Sequence, residues 1–401
     1  MRFFVTALIL LAITAFVSWL NYRLLTRIFA PYRTRAVKYA YLFFTLATIA
    51  VMGYGWPRRP PLVVQEIEVF HIFVYGALAW SFGQFILLIF QPLLYVAHRL
   101  IRGRQAAQVP ADTAAAPAMT RREFFHRTLA VAPLIAFGVS SQGVYGAQNQ
   151  MAVQRYSLAL PDLPPDLSGF KIAQVSDIHL GPYFDLARLD TVIRMLAEEK
   201  PDLVAITGDF SDDLTLLGPA IDRFDRLQPS VPHGIYFCMG NHDYFRSAER
   251  VRSALNNSRV VLLDNASRPI TAAEKPFYLM GVDYPWEDVN RSGINVSTGK
   301  RMQCFAAAAR DVPPDAFRVL IGHHPDVLFD GFAAKVPLTL TGHTHGGQVV
   351  IGGKSLLSSY RYMRGLYHEN GVYGYVSSGT GHWFPFRLGC PAEIGVFTLQ
   401  A

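Results

Sequence analysis

Long apolar runs fill the first part of the chain, and short ones broken by polar turns fill the rest. Residues 3–20 are apolar apart from Thr6, Thr14 and Ser18, long enough for a helix crossing a hydrocarbon core of about 30 Å. Residues 39–56 make a second run. Residues 69–96 make a third, interrupted by His71, Ser81, Gln84 and Gln91, and residues 128–145 a shorter, weaker fourth. A backbone in lipid must satisfy its own hydrogen bonds, so the runs predict a bundle of about four transmembrane helices within residues 1–147. No Asp, Glu, Lys or Arg enters the core of the first two runs, which argues against an ion or proton path. His71 and Gln84 read as packing or interfacial groups. Residues 105–119, rich in Ala and Pro, read as a flexible linker.

From about Tyr156 the runs shorten to strand length. Residues 170–175, 203–206 and 234–239 read as strands. Between them lie helical periodicities over Leu186–Lys200, where Leu189, Val192, Ile193 and Leu196 share a face, and over Leu217–Leu227. Further strands at 260–263, 277–280, 318–321, 338–340 and 374–376 follow more closely. The alternation predicts an α/β domain over residues 156–401, a two-sheet β-sandwich flanked by helices.

Charge adds an orientation. The chain of 401 residues is 51% hydrophobic and 17% charged, with a net charge of +7. Arg23, Arg27, Arg33, Arg35 and Lys38 lie between the first two runs, and Arg99, Arg102, Arg104, Arg121, Arg122 and Arg127 between the third and fourth. Arg58 and Arg59 in the intervening loop are offset by Glu66 and Glu68. The positive-inside rule puts the first and third loops in the cytoplasm, so with four spans the second domain faces outward. This placement of the positive charge fits a membrane topology signal, and no nucleic-acid partner is expected. Thr120-Arg121-Arg122-Glu123-Phe124-Phe125, followed by the small-residue stretch 144–147, is twin-arginine-like. The alternative reading is an Arg pair anchoring the cytoplasmic end of a helix. Cys238, Cys304 and Cys390 are too widely spaced for a Cys-based zinc site, and no disulfide is expected.

Five polar blocks follow apolar runs in the second domain: Asp177-Ile178-His179, Gly208-Asp209, Gly240-Asn241-His242-Asp243, Gly322-His323-His324 and Gly342-His343-Thr344-His345. Each places carboxylate, imidazole or amide donors just past a strand, where open α/β sheets carry their sites. Glycine beside a donor lets the backbone turn sharply. This donor set suits two divalent cations and a water activated between them, the arrangement that neutralises the anionic oxygens of a phosphoester.

In order and spacing these blocks closely resemble the calcineurin-like metallophosphoesterase superfamily, over about Lys171 to Leu399. The stretch from Thr341 to Gln348 and the tail from Arg387 to Ile394 resemble its membrane-tethered or exported bacterial branch, which implies a bacterial cytoplasmic membrane location. The resemblance implies that Asp177, His179 and His345 hold one metal, that Asp209 bridges, and that Asn241, His323 and His343 complete the second. His324 competes with His323, and spacing from Gly322 favours His323. His242 would protonate the leaving oxygen or steady the phosphoryl oxygens, with Asp243 orienting it. The implied cofactors are two divalent ions, Mn, Fe, Zn or Mg. The implied activity is phosphoester hydrolysis by a metal-activated water, and the expected partners are the bilayer and a phosphorylated small molecule or phospholipid-like substrate.

Relatives often carry an Arg shortly after the bridging Asp. Here the run is Asp209-Phe210-Ser211-Asp212-Asp213, which favours a phosphodiester or pyrophosphate over a phosphomonoester dianion. Residues 382–386 form an aromatic cluster that reads as a lip or lid, or equally as a packed loop. His233, His368 and Arg387 receive no role. Two alternatives stand beside the leading reading. One is hydrolysis of the pyrophosphate in a nucleotide-linked lipid A precursor, a cytoplasmic substrate that conflicts with the outward orientation. The other is a non-catalytic, metal-bound scaffold or sensor.

Overall fold

The computed structural model describes residues 2–55, 67–103, 121–160, 162–285, 298–356 and 358–401. The linker at 105–119, the Arg58–Arg59 loop and Trp56 lie outside the described residues. The chain divides into two compact units, Met1–Tyr145 and Gly146–Ala401.

The first unit holds α1 (Arg2–Ile28), α2 (Arg35–Gly55), α3 (Ile67–Gly103), α4 (Arg121–Ala130) and the start of α5 (Ala132–Asn149). Three stretches are long and apolar enough to cross a membrane: Leu8–Ile28, Arg35–Gly53 and Ile72–Leu100. Their outer faces show Phe16, Trp19, Phe43, Ile89 and Leu93. Polar side chains turn inward. Asn21 Nδ2 donates to the carbonyl of Gln84 (2.8 Å) and to its Oε1 (3.1 Å), Tyr41 Oη donates to the same Oε1 (2.5 Å), and Gln91 Nε2 donates to Asn21 Oδ1 (3.4 Å). Polar glue between apolar helices is the usual device where lipid supplies no hydrophobic drive. The fourth apolar run is divided at Val131. Its longer part, α5, is diluted by Ser140, Ser141, Gln142, Gln148 and Asn149 and does not reach the length and hydropathy of the other three.

The second unit is the two-sheet α/β sandwich expected. In chain order its elements are β1 (Met151–Ala159), β2 (Lys171–Val175), α6 (Leu186–Glu199), β3 (Leu203–Thr207), α7 (Leu217–Leu227), β4 (Ile235–Cys238), α8 (Asn241–Asn256) and β5 (Val261–Leu262). Then come β6 (Ala266–Ile270), β7 (Phe277–Gly281), α9 (Thr298–Ala309), β8 (Arg318–Ile321), α10 (Val327–Ala333), β9 (Leu338–Thr341) and the small hairpin β10 (Val350–Ile351) and β11 (Lys354–Ser355). β12 (Gly365–Glu369), β13 (Val372–Val376) and β14 (Ala392–Gln400) complete the unit. One sheet runs β1-β14-β2-β3-β4-β5 and the other β12-β13-β9-β8-β7-β6.

Helix α6 follows its sequence signals. Asp185 caps its first turn by accepting from the Arg188 N–H (2.9 Å), Leu189, Val192 and Leu196 are buried, and Lys200 ends it in a left-handed conformation before Pro201. Leu189, Val192 and Leu196 join Val204, Ile206, Phe224 and Phe237 in a core between the first sheet and its helices. A second core of Leu158, Ile172, Leu203, Leu279, Val319, Leu338 and Phe397 lies between the two sheets. β2, β3, β4 and β5 are parallel, as are β7, β8, β9 and β13. The loops after β2, β3, β4, β8 and β9 carry the five polar blocks. Gln174 Nε2 ties the sheets together there, donating to Thr207 Oγ1 (2.8 Å) and the Thr341 carbonyl (2.9 Å).

The unit starts earlier than residue 156. β1 runs parallel to β14, Met151 opposite Ala392, and β14 runs antiparallel to β2.

Candidate metal centre

The seven candidate ligands come from five strand ends and converge. Asp177, His179 and His345 present donor atoms within 4.8 Å of one another, as do Asp209, His323 and His343. A third such set, His179, Asp209 and His242, lies between them. Asn241 Oδ1 is 3.1 Å from His323 Nε2 and 2.9 Å from His343 Nδ1. Asp209 Oδ2 stands centrally, 3.2 Å from His323 Nε2 and 3.6 Å from His179 Nε2, and Asp177 Oδ1 is 3.4 Å from His345 Nε2. All but His343 are buried.

The backbone is bent to reach this geometry. Asp177, His179, Asp209, His343 and His345 all adopt the left-handed region, with φ between 49° and 74°. That conformation costs an L residue about 1–2 kcal/mol, so its concentration at one site marks strain kept for function. Gly208 is required at φ +80°: a Cβ there would sit 2.7 Å from both the Gly240 nitrogen and His323 Nδ1. Gly342 lets its strand end press on Ser176 and Asp177, which a Cβ would strike.

Outer contacts fix the rings. His323 Nδ1 donates to the Thr207 carbonyl (2.7 Å), His179 Nδ1 faces Asp212 Oδ2 (3.2 Å) and His343 Nε2 faces Tyr360 Oη (3.1 Å). His323 and His179 therefore turn their Nε2 atoms inward, and His343 turns its Nδ1. There His179 Nε2 faces His345 Nε2 at 3.1 Å, and His343 Nδ1 faces His323 Nε2 at 3.2 Å and Asn241 Oδ1 at 2.9 Å. Imidazole nitrogens, carboxylates and an amide oxygen that converge this closely make a donor set that fits divalent metals. Electrostatics agree. Burial, with neighbouring His179 and Arg387, holds His345 well below the usual imidazole range, and burial with His323 lowers His343 to about 3, leaving both neutral. Burial opposes a charge on His323, yet Asp209 and Asp177 push it up to about 9: the carboxylates call for positive charge at this point. Burial chiefly raises Asp177, whereas His323, His242 and His179 hold Asp209 well below the carboxylate range against its own burial.

Two sequence expectations need correction. His242 is oriented by Asp212, whose Oδ1 lies 2.7 Å from His242 Nδ1, and not by Asp243. Adjacent residues on a helix project apart and do not face each other. Asp243 instead turns back under the loops, Oδ2 accepting from the N–H groups of Gly240 (2.8 Å) and Asp209 (3.0 Å) and Oδ1 from that of Phe210 (3.0 Å). Burial and the charge of Asp209 push its carboxyl up to about 6. Second, the acidic pair Asp212-Asp213 does not face a substrate as free charge. Asp212 also accepts from Arg246 Nε (3.1 Å) and Nη2 (3.0 Å), while Asp213 caps its own turn through the Thr215 N–H and hydroxyl. A cation thus reaches this corner from α8 in place of an Arg in the loop. Burial of the His242 ring lowers its pKa, but Asp209 and Asp212 outweigh it and hold His242 above the usual value.

His324 is not in the ligand cluster. Its Nδ1 accepts from the Asp326 N–H (3.2 Å), and its ring packs on Tyr284 and Tyr360. Sequence reasoning assigned no role to Arg387, which is wholly buried and donates to the carbonyls of Ser378 and Gly381 (2.8 Å each) with Nη2 3.2 Å from His345 Nδ1. Within the aromatic cluster His382 and Phe386 are buried and Trp383 is half exposed. His233 packs on Phe170, and His368 stacks on Tyr373.

Comparison with known proteins bears on this geometry. Residues 170–347 match the family model for calcineurin-like phosphoesterases. A bovine transmembrane protein with metallophosphoesterase domain is 31% identical over 69% of this chain and 64% of its own length. A putative metallophosphoesterase of Caenorhabditis elegans is 28% identical over 65% and 54%. The metallophosphoesterase YkuE of Bacillus subtilis is 29% identical over 71% of this chain and 98% of its own. The chain therefore spans less than two thirds of the first two relatives. The matched stretch contains all five blocks of candidate ligands, and the chain belongs to the calcineurin-like phosphoesterase superfamily.

Proposed function

We propose that this chain is a membrane-anchored phosphoester hydrolase that works with two divalent cations, its site on the extracytoplasmic side. The observation that carries the reading is the convergence of imidazole, carboxylate and amide ligand atoms around Asp209. Asp177, His179 and His345 would hold one cation, Asn241, His323 and His343 the other, with Asp209 between. Bound there, the cations would neutralise phosphoryl charge and lower the pKa of an attacking water. The chain's residues do the rest. Asp212 fixes His242 through Nδ1, leaving Nε2 to give a proton to the leaving oxygen as the water–phosphorus bond forms and the ester bond breaks. Arg246, paired with Asp212, brings positive charge beside the departing group. Since the acidic pair is already occupied, it supplies no reason to reject a phosphomonoester. Purified full-length protein with Mn²⁺ is expected to hydrolyse an aryl phosphodiester or monoester, and Asp209→Asn to abolish turnover. Absence of turnover across mono-, di- and pyrophosphate esters would refute the reading.

The apolar helices support anchoring, and the bovine relative's name points the same way. A second orientation is favoured by one observation: α5 falls short of the other helices in length and hydropathy. If it does not cross, the same charge rule puts the site in the cytoplasm, where a nucleotide-linked lipid pyrophosphate becomes accessible. A C-terminal fusion to a reporter active only outside the cytoplasm decides between them; an inactive reporter rejects the outward orientation.

A further inference from the structure

We propose that Phe245 and Trp383 form a subsite for an apolar leaving group, so that the alcohol released carries a hydrocarbon chain. The proposal rests on the hydrolase reading and narrows its substrate class. Because Asp212 holds His242 Nδ1, the nitrogen left for the leaving oxygen is Nε2, and whatever that oxygen bears must pass alongside the His242 ring. His179 lies on the ligand side, ring centroids 4.5 Å apart. The other neighbours are Phe245 at 5.4 Å and Trp383 at 6.3 Å. Phe245 sits one turn after His242 on α8, at the spacing that puts side chains on one face. Trp383 comes from the loop between β13 and β14, which Arg387 ties down through the carbonyls of Ser378, Gly381 and Cys390. Two separately anchored elements thus bring aromatic surface to one point.

Phe245 is 49% exposed and Trp383 50%. Apolar surface held in water beside a catalytic acid is recovered when a hydrocarbon covers it. Arg246, part exposed and paired with Asp212, adds a cation next to the aromatic pair. The combination suits an amphiphile with an anionic phosphoryl head and an apolar tail.

The test uses the full chain in nanodiscs with Mn²⁺ and two readouts. The first is kcat/KM for ethyl and octyl phosphoesters that differ only in the leaving alcohol. The second is calorimetric binding of ethylphosphonate and octylphosphonate, which needs no turnover. The octyl compound is expected to be favoured at least about tenfold in both. Phe245→Ala and Trp383→Ala should each lower that octyl-to-ethyl ratio several-fold, and the double variant should bring it near one. No chain-length preference, or a preference that survives the double variant, overturns the subsite. Chain-dependent phosphonate binding that the double variant loses, without turnover of any ester by the parent protein, keeps the subsite and overturns the hydrolase reading.

Discussion

The two units bury polar groups in opposite ways. In the helical unit, Asn21, Gln84, Tyr41 and Gln91 form a network in which every contact pairs a donor with an acceptor. In the second unit, His179 faces His345 and His343 faces Asn241 and His323, imidazoles and an amide crowded around the buried carboxylates of Asp177 and Asp209. The first network is complete as it stands and stabilises helix packing. The second gathers imidazoles around two buried carboxylates that favour positive charge at their centre. Buried polarity alone therefore says little; the kind of groups it gathers separates structure from chemistry.

The comparison can be tested from its strongest point downward. Asp212→Asn removes the carboxylate that orients His242 and is expected to lower kcat about 10²- to 10³-fold. Bound metal, counted by elemental analysis, should fall less than kcat, since Asn keeps one oxygen for the His179 ring; a loss of metal in step with kcat would leave Asp212 with its role beside His179 alone. Asp243→Ala should act differently, stranding the N–H groups of Gly240, Asp209 and Phe210 and costing roughly 3 kcal/mol in denaturant unfolding. A fall in kcat without loss of stability would restore Asp243 as the partner of His242. Chelation probes the imidazole–carboxylate cluster as a whole. Mn²⁺ at one hundred times its Kd should return about 2.7 kcal/mol of stability to the chelated protein, read as a rise in Tm. The helical network sets the lower bound. Gln84→Leu should cost about 1 kcal/mol, leaving metal content and kcat unchanged; altered kcat would mean that the two units are coupled.

The sequence made the chemistry more legible than the architecture. Glycine-flanked donors at strand ends are a local signal, and the donors named from it converge in the structure. What escaped depended on neighbours through space. β1 and β14 pair across the whole unit, and β1 follows directly on a helix, so neither strand stood out between turn signals. Asp212 had a visible clue: two imidazoles whose second nitrogens needed an acceptor. Its neighbour in sequence, Asp243, drew the assignment instead because adjacency along the chain was taken for adjacency in space. Arg387 could not be read because its partners are backbone carbonyls, which no side-chain pattern announces. The fourth apolar run looked longer than it is because the break at Val131 has no Pro or Gly on the residue itself.

The insertion of β14 between β1 and β2 imposes an order of assembly. A nascent chain that has not yet produced residues 392–400 has a gap through the middle of one sheet. β1 has no other partner among the named strands, and β2 presents an open edge. Completion of the sheet must therefore follow synthesis of its final strand, and a prematurely released product would display two strand edges open to aggregation or proteolysis. The pairing thus acts as an inspection step: only a chain translated through β14 can close the sheet beside the ligand-bearing loops.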